Sequence, residues 1–76
     1  MKIHENIKSI RSDKGITQKD FAKRLGIPYQ TYNNYERGFR TPTPVTLLKI
    51  AKGLNVSIEK IFKEVVYESK NNEEVI

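Results

Sequence analysis

The chain has 76 residues, a formal net charge of +5, 1 histidine and no cysteine. This length allows one small domain, and the absence of cysteine excludes a disulfide framework and a cysteine-based metal site. The absence of cysteine suits a reducing compartment, and we expect a cytoplasmic protein. No segment approaches the roughly 18 consecutive apolar residues of a membrane span, so we expect no membrane partner.

The sequence predicts five helices and no strand, which makes the fold all-α. The first helix covers about residues 3–14 and ends before a glycine. The second begins at Thr17, whose hydroxyl suits the free N–H groups of a first turn, and ends at Gly26. The third covers about residues 28–37, with a proline tolerated in its first turn.

Two further helices follow after a loop. Thr43 and Pro44 begin the fourth helix, which covers about residues 44–54, and Ser57 suits the start of the fifth, over about residues 57–66. The short connection between helices two and three favours a steep crossing, as in a helix-turn-helix. Helical spacing predicts a core made of Ile3, Ile7, Ile10, Phe21, Ala22, Leu25, Leu47, Ile50, Ala51, Leu54, Ile58, Ile61, Phe62 and Val65.

The third helix separates two kinds of side chain. At about 100° per residue, Tyr32 and Tyr35 fall on one side and are predicted to lie in the core. The opposite side carries one phenol, three amides and one guanidinium without a carboxylate, namely Tyr29, Gln30, Asn33, Asn34 and Arg37. Amides pair with adenine and arginine suits guanine or phosphate, although without further context ordinary solvation of these amides is the simpler interpretation.

Charge is unevenly distributed along the chain. Residues 1–67 contain 13 Lys or Arg against 6 Asp or Glu, whereas residues 68–76 contain one lysine and three glutamates. We therefore predict a basic domain over residues 1–67 and an acidic, mobile tail over residues 68–76. A basic domain favours nucleic acid as a partner, although many small proteins of other kinds are also basic.

The stretch GITQKDFAKRLGIPYQTYNNYERGFRTP, followed by LLKIAKGLNVSIEKIF, resembles the helix-turn-helix domain of the lambdoid phage repressor, Cro and Xre family. The resemblance covers about residues 7–62 and includes Gln18, Phe21, Ala22 and Gly26. It implies a compact five-helix domain whose third helix enters the major groove of double-stranded DNA while the second crosses the backbone. It further implies a transcriptional regulator, a repressor rather than an activator, that binds a pseudo-palindromic operator as a homodimer.

The resemblance also assigns roles to individual residues. The base-reading positions match Tyr29, Gln30, Asn33 and Asn34, among which Gln30 and Asn34 are the strongest candidates. The positions that contact the DNA backbone, together with two nearby lysines, are Thr17, Gln18, Lys19, Lys23, Arg37, Phe39 (by its backbone), Arg40 and Thr41. For Lys23 and Arg40, simple solubilising charge is an equally good interpretation.

The resemblance also implies one structural ion pair, and the chain departs from the family pattern in two respects. Arg11 and Glu36 match positions that pair between the first and third helices of the family. The chain departs from the family at Pro28, where a serine or threonine usually caps the third helix, and at its two inward tyrosines, where branched aliphatic residues are frequent. The hydroxyl groups of these tyrosines need polar partners, and a phosphate at the rim of the domain is one of the possible partners.

The sequence also bears on classes of function other than DNA binding. We expect no enzyme, metal site or cofactor, because His4 is the single histidine, the acidic residues are scattered, and no phosphate-loop or dinucleotide glycine pattern occurs. The main alternative is a protein-interaction module, such as an adaptor or antitoxin-like component, with an apolar edge at residues 65–67 as a dimer seam. A third interpretation makes the C-terminal residues a linker to a regulatory domain.

Overall fold

The structure is a computed structural model of the chain, and it describes residues 3–62. Its helices are Ile3–Asp13 (α1), Gln18–Leu25 (α2), Tyr29–Glu36 (α3) and Pro44–Leu54 (α4), followed by residues 58–62 as the described part of a fifth helix (α5). The prediction of an all-α, five-helix domain is therefore confirmed. Three predictions lie outside the described residues, namely the continuation of the fifth helix to about residue 66, the core position of Val65 and the acidic tail over residues 68–76.

The core draws on all five helices at i, i+3 and i+4 spacings. Its buried members are Ile7, Phe21, Ala22, Leu25, Tyr32, Tyr35, Ile50, Ala51, Leu54 and Ile61. Phe21 and Tyr32 pack edge to face, with ring centroids 5.3 Å apart, a geometry that contributes about 0.5–1.5 kcal/mol beyond the burial of area. The prediction that Tyr32 and Tyr35 belong to the core is confirmed, and this arrangement leaves the opposite side of α3 facing outward.

Helix α2 has a marked beginning and a marked end, and the turn at its end leads directly into α3. Thr17 caps α2 by accepting a hydrogen bond from the N–H of Asp20 at 3.1 Å. Gly26 ends the helix with a φ of 71°, a left-handed conformation that side chains with a Cβ resist. A Cβ at Gly26 would have no atom within 4 Å, so the backbone conformation, and not lack of space, calls for glycine. Pro28 then begins α3 without a side-chain cap.

Helix α4 packs closely against α2 because of a glycine inside the helix. A Cβ at Gly53 would lie 2.9 Å from Cε1 of Phe21 and 3.0 Å from Cδ2 of Leu25, closer than such contacts allow. Helix α4 continues past Gly53 and is capped at its C-terminus by Asn55, which takes a left-handed φ of 60°. Within residues 3–62, no helix is long and apolar enough to cross a bilayer.

Candidate nucleic-acid interface

The outward face of α3 presents the polar side chains that the helical wheel places there. Tyr29 and Gln30 are exposed, and Asn33 and Asn34 are half-buried. Within the described part of the chain, the side chains of Gln30 and Asn34 make no hydrogen bond, so both amides keep their donors and acceptors available. The single acidic residue of α3, Glu36, is buried, so the face itself carries no carboxylate.

Behind this face, a buried ion pair connects α1 to α3. The guanidinium of Arg11 donates to both carboxylate oxygens of Glu36, from Nε to Oε2 at 2.6 Å and from Nη2 to Oε1 at 3.1 Å. The hydroxyl of Tyr32 also donates to Glu36, which gives one inward tyrosine its polar partner inside the protein. A third nitrogen of Arg11, Nη1, donates to the carbonyl of Ile16 at 2.5 Å. The pair therefore connects α1, the segment between α1 and α2, and α3.

The surroundings of this cluster keep its two ions charged. Burial alone would raise the pKa of Glu36, but hydrogen bonds from Arg11, Tyr32 and Gln18 outweigh it and hold the pKa below its ordinary value of 4.5. Burial, followed by the hydrogen bond to Glu36, raises the pKa of Tyr32 above its ordinary value of 10.0. The hydrogen bond to Glu36 raises the pKa of Arg11. At neutral pH the cluster therefore holds a guanidinium, a carboxylate and a neutral phenol.

Gln18, the first residue of α2, connects this cluster to the outward face of α3. Its Nε2 donates to Oε1 of Glu36 at 2.7 Å. Its Oε1 accepts hydrogen bonds from Nδ2 of Asn33 at 2.9 Å and from the hydroxyl of Tyr29 at 3.3 Å. An ionised carboxylate only accepts hydrogen bonds, so the Gln18 amide has to turn its NH₂ group toward Glu36 and its oxygen toward α3.

The sequence did not reveal this role of Glu36. The resemblance implies only that Glu36 pairs with Arg11, whereas its side chain is 1% exposed and also bonds to Gln18 and Tyr32. The i, i+4 spacing of Tyr32 and Glu36 was the available signal for one of these contacts. The contact with Gln18 depends on the crossing of α2 and α3, which spacing alone does not give.

The loop after α3 folds back onto the end of the helix. The N–H groups of Phe39 and Arg40 donate to the carbonyl of Asn34 at 3.0 Å and 3.3 Å. The Phe39 N–H, which the resemblance implies as a phosphate donor, is therefore already occupied within the loop. What Phe39 exposes is its ring, 70% accessible, with the guanidinium of Arg37 placed 4.3 Å from the ring centroid. Arg40 and Thr41 follow as exposed residues.

The segment that contains α2, α3 and the following loop is strongly basic on its exposed side. Residues 17–41 contain five Lys or Arg, and their one exposed carboxylate is that of Asp20, in the first turn of α2. Thr17, Lys19 and Lys23 are exposed along α2. Within residues 3–62, no group of three or more His, Cys, Asp or Glu side chains could hold a metal ion. The surface suits a polyanion.

Two crossed helices joined by a glycine turn, with an exposed polar face on the second, define a helix-turn-helix module. The chain belongs to the helix-turn-helix family HTH_3, whose model matches residues 7–61. This match confirms the resemblance to the lambdoid phage repressor, Cro and Xre type.

Among curated proteins, the chain is 41% identical over 59 residues to the uncharacterized HTH-type transcriptional regulator YqaE of Bacillus subtilis, covering 78% of the chain and 51% of that protein. It is 33% identical over 76 residues to the HTH-type transcriptional regulator ImmR of the same organism, covering 100% of the chain and 60% of ImmR. It is 38% identical over 61 residues to the cryptic phage CTXphi transcriptional repressor RstR of Vibrio cholerae, covering 80% and 54%. The chain thus spans 51–60% of the length of these relatives.

Two solved structures share the fold. An HTH_3 family transcriptional regulator from Vibrio cholerae superimposes with a TM-score of 0.77 at 32% identity, over 83% of this chain and 35% of that chain. SinR, the master regulator for biofilm formation, solved in complex with DNA, gives a TM-score of 0.73 at 28% identity, over 79% of this chain and 97% of that chain.

Proposed function

We propose that the protein is a sequence-specific DNA-binding transcriptional regulator, acting as a repressor, whose helix α3 enters the major groove. The observation that carries the proposal is the outward face of α3. Its free amides, at Gln30 and Asn34, project from a helix that is fixed from behind by two buried tyrosines and an ion pair. A face of this kind, rigidly held and free of carboxylates, suits the edges of bases and the phosphates beside them.

Base reading is divided between free and braced side chains. Gln30 and Asn34 have both amide functions available and suit bidentate pairing with adenine. Asn33 and Tyr29 each donate to Gln18, which leaves the carbonyl oxygen of Asn33 for a base donor and the ring of Tyr29 for a thymine methyl group. Because Gln18 is held by Glu36, these two side chains meet the DNA already oriented.

Contacts with the DNA backbone come from two sides of α3. The N-terminus of α2, around Thr17 and Gln18, presents N–H groups and the positive end of a helix to a phosphate, and Lys19 and Lys23 lie along the same helix. On the other side, Arg37, Phe39, Arg40 and Thr41 belong to the loop that follows α3. Since the N–H of Phe39 is occupied, we assign this residue a positioning role, in which its exposed ring stacks with the Arg37 guanidinium that contacts the phosphate.

The form of the operator follows from the twofold symmetry of a homodimer of such modules. Two copies, bound as a homodimer, would place their α3 helices in successive major grooves on one side of the duplex, so the half-sites lie about 34 Å apart and form a pseudo-palindrome. The similarity to the transcriptional regulator ImmR, to the transcriptional repressor RstR and to SinR, which was solved in complex with DNA, supports DNA binding and regulation as the function. We further propose residues 1–67 as the DNA-binding domain, followed by the acidic residues 68–76, and the cytoplasm, where a bacterial or phage operator is found, as the site of action.

Selection of bound duplexes from a random pool tests this function directly. We expect the protein to enrich one pseudo-palindromic sequence whose half-site centres are about 10 base pairs apart. The double variant Gln30→Ala/Asn34→Ala serves as a matched control, and we expect it to retain duplexes without enriching that sequence. Failure of the unaltered protein to retain any duplex at low salt would contradict the proposal.

A further inference from the structure

The chain leaves α3 at Gly38, and a half-buried residue of α1, His4, covers this glycine. The φ of Gly38 is 77°, and the position that a Cβ would take there lies 3.1 Å from Nε2, 3.2 Å from Cε1 and 3.3 Å from Cδ2 of His4. A point beyond the edge of the ring would lie clearly farther from the two carbons than from the nitrogen. The similar distances therefore place Gly38 against the face of the imidazole, which takes the space that a side chain at position 38 would need.

The loop that begins at Gly38 is held at both of its ends. At the start, the N–H groups of two loop residues bond to the carbonyl of Asn34. At the end, Pro42 is buried. Between these points residues 38–41 are exposed, and a cleft of about 310 Å³, lined also by Leu47 of α4, lies beneath them. The face of the His4 ring thus supports the loop from the side of α1.

Of the two arginines beside this turn, Arg40 is the one whose position depends on it. Arg37 precedes Gly38, caps α3 in a right-handed conformation, and places its guanidinium 4.3 Å from the ring centroid of Phe39. Arg40 follows the left-handed glycine by two positions and lines the same cleft as His4. A change of backbone at Gly38 therefore moves Arg40 relative to α3, whereas Arg37 keeps the position that the helix sets.

We infer that His4 is a positioning residue for DNA binding, whose ring holds the turn at Gly38 and thereby holds Arg40 where it contacts a phosphate. This inference rests on the proposed function. The role calls for a flat ring, because the ring meets an α-carbon, which offers no hydrogen-bonding atom. A functional side chain on an exposed loop is precise when packing from a rigid element supports it, and α1 is such an element.

The experiment measures affinity for the selected duplex and for random duplex over a range of salt concentrations, at a low temperature where circular dichroism shows each variant to be folded. We expect His4→Ala to weaken binding to both duplexes by about fivefold at about 0.15 M salt. It should also flatten the slope of log affinity against log salt by about 1, as the loss of one phosphate contact does. The double variant His4→Ala/Arg40→Ala should bind no more weakly than Arg40→Ala, because both changes remove the same contact.

Two control variants separate positioning from charge and from stability. His4→Phe keeps a flat ring and removes any ionic interaction with Glu5, whose Oε2 lies 4.0 Å from Nε2 of His4. We expect this variant to retain the affinity and the salt slope of the unaltered protein. Ile10→Ala removes packing from a half-buried residue of α1 outside the cleft lining, and we expect it to lower the free energy of unfolding without changing the slope.

Each result separates the role of His4 from DNA binding itself. If the unaltered protein binds no duplex, the proposed function fails, and this inference fails with it. If the unaltered protein binds but His4→Ala or Arg40→Ala keeps the full slope, the function stands and the inference is overturned. A loss in His4→Phe equal to that in His4→Ala would also overturn it. So would additive losses in the double variant, because His4 would then act on a contact other than that of Arg40.

Discussion

The carboxylate of Glu36 accepts hydrogen bonds from Arg11, Gln18 and Tyr32 while its side chain is 1% exposed. A buried charge is costly unless it is paired and fully hydrogen-bonded, and here every donor comes from a different part of the fold or from another turn of α3. The residue contributes to stability through these bonds, and it contributes to the proposed DNA contact by setting the orientation of the Gln18 amide.

Removing one partner of the ion pair should destabilise the protein much more than removing both. Arg11→Met leaves Glu36 as an uncompensated buried charge, and we expect a loss of about 3–5 kcal/mol in the free energy of unfolding. In the double variant Arg11→Met/Glu36→Met we expect most of this loss to be recovered, because neither ion remains. Urea unfolding at pH 7 and low temperature measures the free energy of unfolding of both variants. A loss below about 1 kcal/mol for Arg11→Met would show that the ion pair contributes little to stability.

The lowered pKa of Glu36 makes stability depend on pH in acid. The folded-state pKa lies below the ordinary value of 4.5, so the folded protein binds this proton less readily than the unfolded chain. The corresponding stability is fully present above pH 4.5 and is lost as the pH falls through the folded-state pKa. Urea titrations from pH 7 to pH 2.5 should therefore show a steeper acid loss in the unaltered protein than in Arg11→Met/Glu36→Met, and parallel curves would contradict this assignment.

At the scale of the elements, α2 and α3 pack through the core, and within the described residues the side-chain hydrogen bonds between the two helices all involve the Gln18 amide. We expect Gln18→Ala to weaken binding to the selected duplex, because Asn33 and Tyr29 lose their shared acceptor. Gln18→Glu should destabilise the fold more than Gln18→Ala, since it places a second carboxylate where Nε2 now lies 2.7 Å from Oε1 of Glu36. The matched control is Gln30→Glu, which adds a carboxylate on the exposed side of α3 and should leave the free energy of unfolding nearly unchanged.

These two outcomes are measured separately, by urea unfolding and by binding to labelled duplex. Equal free energies of unfolding for Gln18→Ala and Gln18→Glu at pH 7 would mean that Gln18 does not face Glu36 in solution. Unchanged DNA affinity in Gln18→Ala would mean that the orientation of Asn33 and Tyr29 has no part in binding.

The elements themselves were predictable because their ends are chemically marked. Thr17, Gly26 and Thr43 place the helix boundaries within one or two residues, and helical spacing identifies both inward tyrosines. Contacts that depend on how helices cross were not predictable from spacing. The close approach of Gly53 to α2 is one example. The occupied N–H of Phe39 was not predictable for another reason, because it depends on how the loop folds back onto the end of α3. The assignment of bases and phosphates to individual side chains remains a prediction.

At the scale of the whole molecule, the excess of positive charge should make DNA affinity fall steeply with salt. Each phosphate contact adds about one unit to the slope of log affinity against log salt. We expect Arg40→Ala to weaken binding to selected and random duplexes alike and to flatten this slope by about 1. Lys60→Ala removes an equal charge from α5 and is the control, for which we expect an unchanged slope. Equal slopes for the two variants would remove Arg40 from the backbone contact.

The most direct test of the account compares Gln30→Ala and Asn34→Ala with the unaltered protein on the selected duplex and on random duplex. If the outward face of α3 reads base edges, each substitution should cost about 1–3 kcal/mol on the selected duplex and almost nothing on random duplex. Equal losses on both duplexes, or no loss on either, would contradict the claim that α3 carries sequence recognition.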